Sequence, residues 1–153
     1  MFHHSPIGEL RIRANKTEIC STEFINQPGW ANHSPKQSSN LHLKSIIRAL
    51  NLYFAGKLST FKTPTAAKGT PFLEIVWSEL QKLFAGSTIH YGTIAERIGN
   101  LKASREVGLA NNRDPLHILV PCHRVVGKSG SLIGYASELW REEWLIKHEG
   151  ALT

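Results

Sequence analysis

The sequence predicts an α+β protein in two modules, and three observations carry that expectation. Apolar and polar residues alternate between residues 7 and 24. Apolar residues recur at helical spacing in 43–54 and again in 73–84. A stretch ending Thr-Pro-Thr-Ala-Ala-Lys-Gly separates those two helices. Strands and helices that are segregated along the chain, and not interleaved, indicate α+β.

The first module opens with a hairpin. Leu10, Ile12 and Ala14 alternate with Arg11 and Arg13, Asn15-Lys16 offers a turn, and Ile19 to Phe24 returns. Cys20 in the second strand is expected to be a small buried hydrophobe. Met1 to Pro6, with His3 and His4, is expected to be a loose, solvated terminus. Residues 26–40 read as a polar loop. Leu43, Ile46, Ile47, Leu50 and Phe54 then mark a helix that covers the sheet and stops at Gly56. Residues 57–69 are a linker, so the expected modules are 1–69 and 70–153.

The second module begins at Thr70-Pro71, an N-cap followed by proline at the first helical position. Leu73, Val76, Trp77, Leu80, Leu83 and Phe84 form its core stripe, closed by Ala85-Gly86. Short helices over 93–98 and 103–111, with Gly99-Asn100 between them, suit a helix-turn-helix. Next, Ile118-Leu119-Val120 runs into Pro121-Cys122-His123-Arg124, where proline stops helix growth and ladder pairing and sets the cysteine at a bend. A last helix, capped by Ser137, is expected to carry Trp140, Trp144 and Leu145 on one face and to end at His148-Glu149 with Gly150 as the stop.

Composition excludes several classes. Hydrophobic residues at 41% and charged residues at 20% describe an ordinary folded chain. No apolar run approaches the ~20 residues of a membrane span, and the N-terminus lacks a secretory layout, so the expected compartment is the cytoplasm. Two cysteines, Cys20 and Cys122, make no disulfide framework and no zinc-finger spacing. No glycine-rich phosphate loop is present, so no cofactor is expected, and no convincing ligand set is present, so no metal is expected. The net charge of +6 fits a nucleic-acid partner without requiring one. Locally, Arg97, Lys102, Arg105 and Arg113 stand against Glu106 alone.

A thiol with an ordinary pKa near ~8.5 is only a few per cent thiolate at neutral pH, so a nucleophilic cysteine needs a base or a nearby positive charge. His123 and Arg124 adjoin Cys122, and Glu149 is a candidate to orient the imidazole. From spacing alone, a merely buried cysteine is the favoured reading.

Pro121-Cys122-His123-Arg124-Val125 resembles the signature of the O6-alkylguanine-DNA alkyltransferases. The resemblance runs from about Thr70 to Gly150 and, more weakly, over the hairpin beginning Ser5-Pro6-Ile7-Gly8-Glu9-Leu10. Tyr91, Ser104-Arg105-Glu106-Val107-Gly108, Tyr135 and Trp144-Leu145-Ile146-Lys147-His148-Glu149-Gly150 keep family order around the cysteine. The resemblance implies a ribonuclease-H-like first module and a helical DNA-binding second one. It implies that Cys122 accepts the alkyl group irreversibly, that His123 takes its proton through a water, and that Glu149 holds His123. Arg105 would enter the base stack, while Tyr91 would help rotate the target nucleotide and assist the leaving guanine. The carbonyls of Cys122 and Val125 would accept from the guanine amine, and Tyr135 and the Ala136 amide would meet its N3 and O6 edges. The implied partner is double-stranded DNA containing O6-alkylguanine (or O4-alkylthymine), bound through the minor groove by a monomer.

Three departures stand out. Asp114-Pro115 replaces the usual Asn-Pro; aspartate accepts from turn amides but does not donate, and its charge disfavours a thiolate. Ser137-Glu138 replaces a usual Gly-Gly. Asn111 occupies a position often apolar and groove-facing, which is expected to weaken groove contact. The rival readings are a lesion-binding relative without an acceptor cysteine, a helix-turn-helix regulator and a cysteine hydrolase. Cys122, the His-Glu pair with the two tyrosines, and the want of a hydrolytic loop disfavour them in turn.

Overall fold

The computed structural model describes residues 1–25, 40–127 and 138–150. The chain divides into two compact units, Met1–Ala66 and Ala67–Thr153.

The first unit is a three-stranded antiparallel sheet covered by one helix. Strands β1 (Phe2–Ser5), β2 (Gly8–Ala14) and β3 (Ile19–Ile25) lie in the order β1-β2-β3, with Leu10 opposite His3 on one side and Phe24 on the other. Alternation aims Leu10 and Ile12 inward, both fully buried, while Arg11 pairs outward with Glu23. Asn15 builds the turn, its Oδ1 accepting from the amides of Thr17 and Glu18. Helix α1 (Leu41–Phe54) is capped by Asn40, which accepts from the His42 and Leu43 amides, and it buries Ile46, Leu50 and Tyr53 against the sheet. The polar loop expected over 26–40 falls, up to residue 39, outside the described residues.

Two expectations fail in this unit. The N-terminus is not loose: it forms β1, and His3 is buried, with Nε2 2.8 Å from Asn51 Oδ1 and its ring stacked on Phe54. Phe-His-His-Ser carries no apolar alternation, so backbone pairing with β2, not side-chain pattern, brings this segment in. Cys20 is only half-buried, because Ile19 and Thr22 take the inward positions of β3. The linker is pinned to that strand, with Ile19 N donating to Pro64 O and Ala66 N to Ile19 O.

The second unit is helical. Helix α2 (Pro71–Leu80) starts on Thr70, whose Oγ1 accepts from Leu73 N, and it buries Val76, Trp77 and Leu80. It ends before Phe84, which is 81% exposed and not part of the core. Strand β4 (Ile89–His90) leads into α3 (Tyr91–Arg97), then α4 (Ser104–Asn112). Helix α2 packs on α3 and α4, and Trp77 Nε1 donates to Ala110 O at 2.9 Å. After α4 the chain reaches a single turn of 3-10 helix, Cys122–Arg124, and β5 (Val125–Val126), which pairs in parallel with β4.

Helix α5 (Leu139–His148) packs on the cysteine turn. Its inward face is Arg141, Glu142, Leu145 and Ile146, whereas Trp140 is half-exposed and Trp144 stacks on His148. Trp140, Trp144 and Leu145 therefore do not share one environment: Leu145 is buried, and the two indoles are not. Helical period groups 141, 142, 145 and 146 together and leaves the indoles outside. The expected cap Ser137 lies outside the described residues. Among the described residues no helix is long and apolar enough to cross a membrane.

Candidate active site

The candidate site gathers around Cys122 from the 3-10 turn itself, from the ends of α3, α4 and α5, and from the loop after α4. Pro121 precedes the 3-10 turn, and the Cys122 amide donates to Val120 O at 2.8 Å, so the chain doubles back at the cysteine. Ile118 upstream has φ +74°, a conformation that costs a β-branched residue roughly 1–3 kcal/mol. Its neighbours Leu116, Leu119 and Val120 are buried with it, and this packing holds the strained backbone. Cys122 itself is fully buried.

The next two residues meet one carboxylate. His123 Nε2 lies 2.8 Å from Glu149 Oε2. Arg124 donates from Nε to Glu149 Oε1 at 2.8 Å and from Nη2 to Oε2 at 3.0 Å, while Nη1 donates to Leu83 O at 2.7 Å. Burial raises the Glu149 carboxyl, but the bonds and charges of His123 and Arg124 outweigh it and hold Glu149 well below the usual carboxylate range. Burial also lowers the His123 pKa, against Glu149 and with Arg124, so the imidazole is neutral near pH 7. An ionised Glu149 accepts a hydrogen bond from Nε2–H, which fixes the proton on Nε2 and leaves Nδ1 as the free base. That nitrogen is buried without a hydrogen-bond partner. A carboxylate at the C-terminal end of α5 opposes the helix dipole, and the two-point contact from Arg124 offsets that cost.

Gly86 lets the second wall come close. Its φ is +87°, and a Cβ there would stand 3.0 Å from the Glu149 carbonyl oxygen. The β4·β5 ladder, with Ile89 opposite Val125 and His90 opposite Val126, sets Tyr91 at the mouth of α3 beside the cysteine turn. Tyr91 is hydrogen-bonded to the Asn111 side chain; burial, then the Glu142 and Cys122 charges, raise its pKa and keep the phenol protonated.

Asn111 corrects an expectation. It does not face outward into a groove but is fully buried, donating from Nδ2 to Cys122 O at 3.2 Å. Position 111 lies one turn after Val107 on the inward face of α4, and that spacing was available in the sequence. Asp114 lies under the same turn: Oδ1 accepts from Leu116 N at 2.8 Å, while Oδ2 is buried without a hydrogen-bond partner among the described residues. Asn111 thus supplies the donor that Asp114 lacks.

Other predicted residues are less central. Arg105 is exposed on the first turn of α4. Val125 is buried in β5. Tyr135 and Ala136 lie outside the described residues. Two groups that sequence reasoning did not single out join the site. One is the fork of Arg124 on Glu149. The other is Glu142, a fully buried carboxyl on α5 acting on Tyr91. Among the described residues no cluster of three His, Cys, Asp or Glu could hold a metal ion.

Two family models cover the chain: the ribonuclease-like domain of 6-O-methylguanine DNA methyltransferase over residues 1–67, and its DNA binding domain over 71–151. The methylated-DNA–protein-cysteine methyltransferase of Methanosarcina acetivorans is 54% identical, with 96% of this chain and 95% of that protein covered. The protein of the same name from Shigella flexneri is 50% identical, covering 97% and 93%. The crystal structure of a Mycobacterium tuberculosis relative in complex with DNA matches with a TM-score of 0.87 at 35% identity, over 98% of this chain and 91% of that one.

Proposed function

We propose, from the premise that this chain belongs to the 6-O-methylguanine DNA methyltransferase family, that Cys122 is the alkyl acceptor of a direct-reversal DNA repair reaction. DNA is the partner. The observation that carries the assignment is the buried His123–Glu149–Arg124 array next to Cys122, with one imidazole nitrogen left as a base.

The target base is O6-alkylguanine in double-stranded DNA. The alkyl carbon is out of reach inside the duplex, so the nucleotide is turned out, which costs a few kcal/mol and costs less for a poorly pairing base. His123 Nδ1 takes the thiol proton, directly or through water. The thiolate displaces guanine at the alkyl carbon: the C–S bond forms, the C–O6 bond breaks, and guanine leaves with the electron pair and is then protonated. Tyr91, still carrying its proton, donates to the leaving base. The carbonyls of Cys122 and Val125 accept from the guanine amine, and Tyr135 and Ala136 meet its N3 and O6 edges. Arg105 fills the gap in the stack from the minor groove. The thioether has no route back, so each molecule reacts once. The protein acts as a monomer in the cytoplasm, with residues 70–153 carrying the chemistry and 1–69 serving as scaffold.

Intact-mass spectrometry after incubation with duplex DNA containing O6-methylguanine tests this directly. One methyl per chain, located on Cys122 and lost in Cys122→Ser, is the expected result. An unchanged mass with retained DNA binding would make the protein a lesion binder.

A further inference from the structure

We propose that the first unit also binds DNA, through a basic face built from the exposed side of α1 and the segment that follows it. The proposal takes DNA as the partner from the family assignment and does not depend on the chemistry of Cys122.

The charge distribution singles out this face. Between Glu23 and Glu74 the sequence has no acidic residue, while Lys36, Lys44, Arg48, Lys57, Lys62 and Lys68 are all basic. The whole chain has 18 Lys and Arg against 12 Asp and Glu, so everything outside this stretch balances at 12 against 12. The entire net charge of +6 therefore belongs to it. Lys36 lies outside the described residues, and Lys68 belongs to the second unit. The other four are exposed in the first unit.

The fold gathers those four. Helix α1 turns Ile46, Leu50 and Tyr53 inward, which leaves Lys44, Arg48 and Leu52 as an i, i+4 column on the solvent side. The chain closes over the end of that column, with Lys57 N donating to Leu52 O at 2.8 Å. Ser45 Oγ lies 3.0 Å from Thr63 Oγ1, and this bond brings the backbone at Lys62 up to the turn that holds Lys44. The three acids of the unit, Glu9, Glu18 and Glu23, belong instead to the sheet and its turn, where Glu9 meets His4 and Glu23 meets Arg11. None of the four cations has an ion-pair partner among the described residues.

Local stability does not account for the arrangement. Like charges at i, i+4 repel, and a cation in the first turn of a helix opposes its dipole. Lys44 meets both conditions: it stands four residues before Arg48, and it is in the first turn of α1, which carries no acid there. A polyanion lying on the face offsets both. Lys44 and Arg48 are about 6 Å apart along the helix axis, a spacing that long side chains match to neighbouring phosphates of one strand.

The test uses the full chain and undamaged duplex DNA. Lysine acetylation, assigned by peptide mass, is compared with and without the duplex. Lys44, Lys57 and Lys62 should be shielded by DNA and labelled again at high salt, because counterions displace phosphate contacts. Equal labelling of these three with and without DNA, while Lys102 before α4 is shielded, would overturn the proposal. Binding isotherms across a salt series then count the contacts. In Lys44→Ala/Arg48→Ala the slope of log affinity against log salt should lose about 2 in magnitude, close to one for each phosphate released. An unchanged slope would also sink the idea. The double variant places a good helix former at two exposed positions, so its melting temperature should equal or exceed that of wild type. A lower melting temperature would make the two residues structural and count against the proposal. Neither measurement involves the thiol, so the expected shielding and slope in a chain that transfers no methyl group would count against the repair reading and not against this face.

Discussion

At Glu142 the chain keeps a carboxyl group fully buried with neither oxygen hydrogen-bonded. Burial raises its pKa to about 8. The folded pKa lies above the unfolded one, so the folded state binds the proton more tightly. Stability therefore falls as pH rises from about 4.5, the ordinary value for a glutamate, to about 8, and is level above that. Glu142→Met should raise the melting temperature at pH 8.5, by an amount corresponding to about 2 kcal/mol, and by much less at pH 5. Thermal melts at the two pH values check this, and equal gains would show that packing alone is responsible. Glu149 is the opposite case. Two cationic or protonatable partners hold it ionised, and one carboxylate thereby orients the base and ties down Arg124. A carboxyl with partners and one without, both on or at the end of α5, titrate in opposite directions for that reason alone.

Helix α4 serves two faces at once. Val107, Ala110 and Asn111 point inward, the last to the Cys122 carbonyl, while Arg105, Leu109 and Asn112 stay exposed. A shift of the helix is therefore felt at the cysteine turn. Arg105→Ala removes only an exposed side chain, so the thiol chemistry should survive it. Transfer from duplex DNA should slow by about tenfold or more, in keeping with a base-extrusion cost of a few kcal/mol, while reaction with free O6-benzylguanine should stay nearly unchanged. Single-turnover rates with the two substrates decide the matter, and equal slowing would remove Arg105 from the stack-filling role. The loop after α4 is rigid in a different way: a strained Ile118 and the doubled-back Cys122 amide are kept in place by the buried residues around them.

For the whole molecule, the charge of +6 acts through position more than through sum. Arg97, Lys102, Arg105 and Arg113 are all exposed around α3 and α4. DNA binding that releases counterions weakens with salt by a slope of about −0.9 per phosphate neutralised. Lys102→Ala and Arg113→Ala should each reduce the magnitude of that slope by about 1, on any DNA sequence. Binding isotherms across a salt series measure it, and an unchanged slope would place the DNA on another face.

By itself the sequence determined the local features: the capped start of α2, the two helices around Gly99, the covering helix α1, and a cysteine held at a bend by Pro121. With the family resemblance it also singled out His123 and Glu149. Each of these is written within a few residues, where period, caps and breakers act. The tertiary structure decided the rest. Arg124 reaches Leu83 across 41 positions and Glu149 across 25. Asn111 turned inward to the Cys122 carbonyl, and β1 formed from a segment without alternation. These outcomes depend on which backbone or side-chain group a fold brings within about 3 Å, and no periodicity along a chain encodes a partner that distant.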